Sequence, residues 1–179
     1  VVIGHWNDSP LGEFTDVMVQ FADGHRLLLA PTEAVREFVT ATYTFDETYL
    51  TPVEFTRLGN HVDLSADDLR VRLTLGGPTA LGRLLHLLPS AISTAPWFCT
   101  ISDPIARVVL RGVRTRGSAG NGRHEYYGAR HQHRITAAEA SWRGEELGKL
   151  TPVTPPVTFG FGSTPTAPSV TSITTTIDA

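Results

Sequence analysis

The stretch Leu69-Arg70-Val71-Arg72-Leu73-Thr74-Leu75 alternates apolar and polar residues without a break. Side chains on an extended strand point alternately to opposite faces, so Leu69, Val71, Leu73 and Leu75 share one face while Arg70 and Arg72 occupy the other. A chain containing such a segment has to bury one side of a sheet and wet the other. Phe14 to Phe21 is a second strand, followed by Asp23-Gly24, a strong hairpin dipeptide, and by His25 to Leu29. A further hairpin is expected from Thr48 to Leu64 with Gly59-Asn60 at its turn, and pairs of strands are expected to flank Gly117–Gly122 and Arg143–Glu146. Ser169 to Ile177 is dominated by β-branched residues and reads as a final strand. The 16 Gly and 12 Pro in 179 residues exclude a long-helix bundle, and their lack of period excludes collagen.

Helices are short and punctuated. Pro31-Thr32 opens one that carries Val35, Phe38, Val39 and Tyr43 at helical spacing. Gly76-Gly77-Pro78 is expected to end the alternating strand. Thr79 then caps a helix bearing Leu81, Leu84, Leu85 and Leu88 that stops before Pro89. Asp103-Pro104 is a suitable cap and first position for a third, with Ile105, Val108 and Val109. Residues 90–102 resist assignment because Pro96 interrupts their apolar run. These elements predict an α+β fold, mainly antiparallel β in a barrel or cone-like sheet, with two or three short helices, as a single domain over residues 1–179.

Composition narrows the function classes. At 41% hydrophobic and 18% charged residues, the chain can bury a core. No run approaches the ~18 apolar residues of a membrane span. The first residues, Val1-Val2-Ile3-Gly4-His5, lack a basic stretch followed by an apolar one, so no secretory signal is visible. The only cysteine, Cys99, excludes an internal disulfide framework and any multi-cysteine zinc site, and fits a cytoplasmic protein. Net charge is −3, unevenly spread: residues 1–68 carry −9, residues 69–134 carry +8 and the remainder −2. Nucleic acid is not an expected partner, because a binder more often shows net positive charge or aromatics interleaved with basic residues. The opposed blocks are instead expected to pair across a sheet or between subunits of a homo-oligomer, or the basic block lines an anion-binding groove.

The chemistry-bearing stretch is Arg123-His124-Glu125-Tyr126-Tyr127-Gly128-Ala129-Arg130-His131-Gln132-His133-Arg134. On a strand His131 and His133 point the same way, and two imidazoles on one face can begin a divalent metal site, with Glu139 or His124 to complete it. The ordinary alternative is a polar or partly buried face. Other motifs carry less. Cys99 follows Pro96-Trp97-Phe98, an apolar setting for an inert thiol. No Gly-x-Ser-x-Gly elbow, phosphate loop or dinucleotide fingerprint is present. Gly160 to Pro165 lacks the lysine and following helix of a phosphate loop and reads as a turn. The pairs Asp67-Asp68 and Glu145-Glu146 read as turn acids. Trp97, Phe98, Tyr126, Tyr127 and Trp142 read as core, or as the wall of an apolar cavity.

Two short segments resemble the acetoacetate decarboxylase-like superfamily. Ser9-Pro10-Leu11-Gly12-Glu13-Phe14-Thr15-Asp16 is similar to an early Ser-Pro-x-Gly-x-aromatic-x-acid segment, and Gly122-Arg123-His124-Glu125-Tyr126-Tyr127-Gly128 to the Gly-Arg-Glu-x-x-Gly run that precedes that family's catalytic lysine. The resemblance implies a β-cone with a few helices and an internal pocket. It does not imply the decarboxylation. Arg130 or His131 stands where the Schiff-base lysine belongs, arginine cannot form the imine, and the only lysine, Lys149, lies well past that place.

The expectation is therefore a pocket for a small, anionic organic molecule, with Arg123 and Arg130 as carboxylate clamps and Tyr127 and His131 positioning the ligand. No cofactor is required for this, and whether the chain is an enzyme stays open. The alternatives are a metal-dependent enzyme using His131, His133 and Glu139 around a divalent ion, and a structural or oligomer-forming protein.

Overall fold

The structure, a computed structural model, describes residues 1–87, 89, 95, 97, 99–101, 116–118, 124–160 and 164–177. It is mostly antiparallel β with short helices. The strands are β1 (Val2–Trp6), β2 (Phe14–Gln20), β3 (Arg26–Ala30), β4 (Glu47–Leu50), β5 (Val53–Leu58), β6 (His61–Ala66), β7 (Leu69–Pro78), β8 (Arg116–Ser118), β9 (His124–Trp142), β10 (Glu145–Glu146) and β11 (Ser169–Ile177). Two helices are described, α1 (Glu33–Thr40) and α2 (Ala80–His86). One sheet has the order β1-β2-β3-β4; the other runs β10-β9-β7-β6-β5, with β8 and β11 also paired to β9. Neither sheet closes into a barrel. The expected third helix from Asp103 lies outside the described residues, as does most of the expected turn Gly117–Gly122, of which Gly117 and Ser118 belong to β8.

The chain forms two compact units. The first comprises Val1–Thr74, Ala137–Leu150 and Thr158–Gly160. Its centre is built by alternation: Val17 and Val19 of β2 and Leu27 and Leu29 of β3 pack on Leu64 and Ala66 of β6 and Leu69 and Val71 of β7. Each of these eight residues is at most 6% exposed, which at about 25 cal/mol per Å2 of apolar surface makes this cluster the main source of stability for the unit. α1 links β3 to β4, which lies parallel to β3, a connection that requires a crossover rather than a hairpin. Thr32 caps α1 by accepting a hydrogen bond from Val35 N, and Val35 and Val39 are its buried residues. Phe159, fully buried, stacks near Phe45, and its carbonyl accepts from Thr44 N at 2.7 Å.

The second unit comprises Leu75–Thr136, Thr151–Val157 and Phe161–Ala179. β11 pairs antiparallel with β9, Ser169 opposite Arg134 through Ile177 opposite Glu125, and the register shifts between Ser172 and Ile173. His131 faces Ser172 and Ala129 faces Ile173, so Arg130 is the extra residue of a β-bulge.

Three expectations need correction. The stretch from Thr48 to Leu64 is not one hairpin. β4 belongs to the first sheet, and the hairpin is β5–β6 about Gly59-Asn60. β7 does not stop at Gly76 but continues to Pro78. A Cβ on Gly76 would stand 2.6 Å from Thr136 Cγ2, so the glycine permits close strand contact rather than a break. Leu84 does not face the core: it is 61% exposed.

Candidate functional site

α2 is attached to β9 through backbone. Thr79 caps the helix, its Oγ1 accepting from Gly82 N at 2.9 Å and donating to Gln132 Oε1 at 2.7 Å, while Thr79 N donates to the Gln132 carbonyl at 3.0 Å. Gln132 Nε2 in turn donates to Thr171 Oγ1 of β11 at 3.2 Å. The buried amide is thus bonded at both ends, as a polar group at 7% exposure has to be. Gly82, the buried residue of α2, lies so close to β9 that a Cβ would stand 2.2 Å from the Gln132 carbonyl oxygen. No other residue type fits there.

This docking brings the last turn of α2 beside the histidine pair of β9. His131 and His133 flank Gln132 and, by strand alternation, share the face opposite to it. The His86 and His131 rings lie with centroids 5.3 Å apart and planes inclined at 44°. His133 Nδ1 is 3.1 Å from the Gly76 carbonyl. A carbonyl only accepts, so the Nδ1 of His133 carries the proton. Pro78, Gly82, Arg83, His86, His131, Gln132 and His133 line a cleft of about 300 Å3. Arg83, His86 and His131 are exposed and His133 is half-buried. Among the described residues no carboxylate lines this cleft.

A larger concavity of about 810 Å3 lies over the outer face of β5, β6, β7 and the end of β9. It is lined by Arg70, Arg72 and Lys149, but also by Glu54, Asp63, Glu139 and Glu146. Arg72 is already held by Asp63 at 2.9 Å and Glu139 at 3.5 Å. The Arg72 charge is thus answered by acids of the same sheet, and the remaining lining mixes both signs. The smaller cleft, whose described lining holds cationic and imidazole groups and no acid, is the better site.

Of the sequence-derived ligand residues, His131 alone lies in this cleft. Arg130, at the bulge, is exposed and not part of the lining. Tyr127 is 7% exposed and belongs to the core, and Arg123 lies outside the described residues. Glu139 stands six residues beyond His133 on the same strand, about 20 Å at ~3.3 Å per residue, and is bonded to Arg72. The expected His131–His133–Glu139 set is therefore not assembled. Among the described residues no three His, Cys, Asp or Glu side chains stand together so as to hold a metal ion. The guanidinium of the site is that of Arg83, and a second imidazole is that of His86. Both lie on the helix that sequence reading assigned by its leucines. The available signal was their i,i+3 spacing, which puts them on one helical face.

Other candidates resolve simply. Cys99 is buried, and burial pushes its thiol pKa up, as for an inert cysteine. Trp97 is 59% exposed rather than core. Lys149 lies exposed on the larger concavity. Asp67-Asp68 form the β6–β7 turn, with Asp67 at φ 51°. Glu145-Glu146, by contrast, are the strand β10.

One titratable group was missed altogether. Asp16 of β2 is 1% exposed; its Oδ1 accepts from Trp6 Nε1 at 3.0 Å, and Oδ2 has no hydrogen-bond partner among the described residues. Burial raises its pKa to about 7, against the opposing pull of the Trp6 hydrogen bond.

No protein-family model, curated protein or solved structure matches the chain.

Proposed function

We propose that the protein is a cytosolic binding domain for a small organic anion, a carboxylate or phosphate ester, held in the cleft between α2 and β9. The observation that carries this reading is the convergence of Arg83, His86 and His131 on one cleft of about 300 Å3 with no acid among its described lining residues. A guanidinium offers paired N–H donors that match a carboxylate or phosphate edge, and imidazole N–H groups add directed bonds. The Gly82–Gln132 contact and the Thr79 cap fix the helix, so the donors are placed before a ligand arrives and little ordering cost opposes binding. The burial of Cys99, the one cysteine of the sequence, is in keeping with a cytosolic site.

The test is a titration with acetate, succinate and inorganic phosphate, in the presence of EDTA, followed by NMR on histidine ring and arginine side-chain signals. One of these anions is expected to shift the His131 and Arg83 signals, and Arg83→Ala and His131→Ala each to weaken binding about tenfold or more. Binding that neither substitution alters, or no response to any of the anions, overturns the reading.

A further inference from the structure

We infer that His86 and His131 form a two-imidazole site for a borderline divalent transition-metal ion, with Zn2+ as the natural probe. Two imidazoles bound to one tetrahedral ion through Zn–N bonds of ~2.0–2.1 Å have ring centroids ~5 Å apart. The His86 and His131 centroids are 5.3 Å apart and the rings are tilted, not stacked. The spacing of an occupied pair thus exists between two exposed side chains, on elements whose backbones are locked at Gly82 and Gln132. The donor set is nitrogen only. That favours zinc, copper or nickel over calcium or magnesium, which take oxygen ligands.

Two protein ligands leave two tetrahedral positions open. Among the described residues Arg83 enters the same cleft and no carboxylate does, so those positions are open to water or an added anion. His133, with its Nδ1 proton committed to the Gly76 carbonyl, keeps its ring fixed beside the pair. This inference goes beyond the anion reading and does not need it, since the ion is held by the imidazoles alone.

The experiment uses the whole chain without an affinity tag, titrated with zinc chloride and followed on histidine ring resonances. One equivalent is expected to bind, with His86 and His131 shifting together. The dissociation constant is expected to rise at least tenfold in H86A and in H131A and to stay unchanged in H61A. Both histidines are solvent-exposed, and an unchanged urea midpoint certifies each variant as folded; H86Q and H131Q serve where the alanine variants do not pass. No binding at millimolar Zn2+, binding that survives H86A, or ions spread over His5, His25 and His61 overturns the site. Phosphate bound in EDTA, together with no Zn2+ bound in the EDTA-free zinc titration, overturns the metal site and leaves the anion reading standing. Zn2+ bound at His86 and His131, with no anion bound at any metal load, supports the metal site and overturns the anion reading.

Discussion

Gly4 lies opposite Asp16 in the β1–β2 ladder, and a Cβ there would stand 2.5 Å from Asp16 Oδ1 and 2.9 Å from Trp6 Nε1. The missing side chain makes room for the indole to reach the carboxyl, and that bond, with a backbone hydrogen bond, only partly offsets the loss of water. No charged group contributes to the shift in its pKa, so the charge of an ionised Asp16 is uncompensated. The folded-state pKa of about 7 stands above the ordinary aspartate value of 3.8. Between these two the folded chain keeps a proton that the unfolded chain has released. The Asp16 contribution to stability is therefore fully present below the unfolded pKa, falls as pH rises through this window at roughly 1.4 kcal/mol per pH unit, and levels above the folded pKa. Asp16→Asn retains an oxygen for Trp6 and removes the charge. Urea unfolding at pH 5 and pH 8 is expected to show wild type losing more stability than the Asn variant by a few kcal/mol. Equal losses in the two proteins would sink this account. Asp46 is the opposite case: Arg26 donates to both its oxygens at 2.8 Å and holds its pKa well below the ordinary carboxylate range.

Elements whose signal is local were legible in the sequence. The β11 bounds, the β2–β3 hairpin, the β5–β6 turn and the Thr32 and Thr79 caps depend on alternation, turn dipeptides and hydroxyl caps that act within a few residues. What escaped depends on contacts distant in sequence. β1 has no apolar alternation, Val-Ile-Gly-His-Trp, and exists because it pairs with β2 and because His5 stacks on Phe55 at 4.0 Å. β7 outruns Gly76 because β9 passes close by, and β4 leaves its expected hairpin because α1 returns it alongside β3. For the site, the histidine pair on β9 was legible, but its partners on α2 were hidden by leucines that the helix does not bury. The helix docks by its glycine instead. Gly82→Ala tests this. Ala improves helix propensity by up to ~1 kcal/mol, but its methyl meets a backbone carbonyl that cannot move aside. The variant is therefore expected to lose roughly 1–3 kcal/mol, the usual range for overpacking, and to widen the His86–His131 separation. Urea midpoints and ring-to-ring nuclear Overhauser effects measure the two; a variant as stable as wild type with the ring contact intact would refute the docking role.

At the scale of the whole molecule, each compact unit is assembled from separated stretches of chain. The first needs Val1–Thr74, but also 137–150, which carries Ala140 and Trp142 onto its core cluster, and Thr158–Gly160. Phe159 is the anchor of that last stretch, fully buried, with Thr158 N bonded to Gln20 Oε1 at 2.8 Å and Arg26 donating to the Thr158 carbonyl at 3.1 Å. Phe159→Ala is expected to cost about 3–5 kcal/mol, the range for emptying an aromatic site. A change below 1 kcal/mol in equilibrium unfolding would show that the stretch merely rests on the surface. The cations of this molecule are 14 arginines and one lysine, and that lysine sits exposed on the larger concavity. Acylating dyes and crosslinkers ignore guanidinium, so Lys149 is the sole side-chain target for them. A fluorophore attached there reports from a known wall of the molecule with no engineered handle.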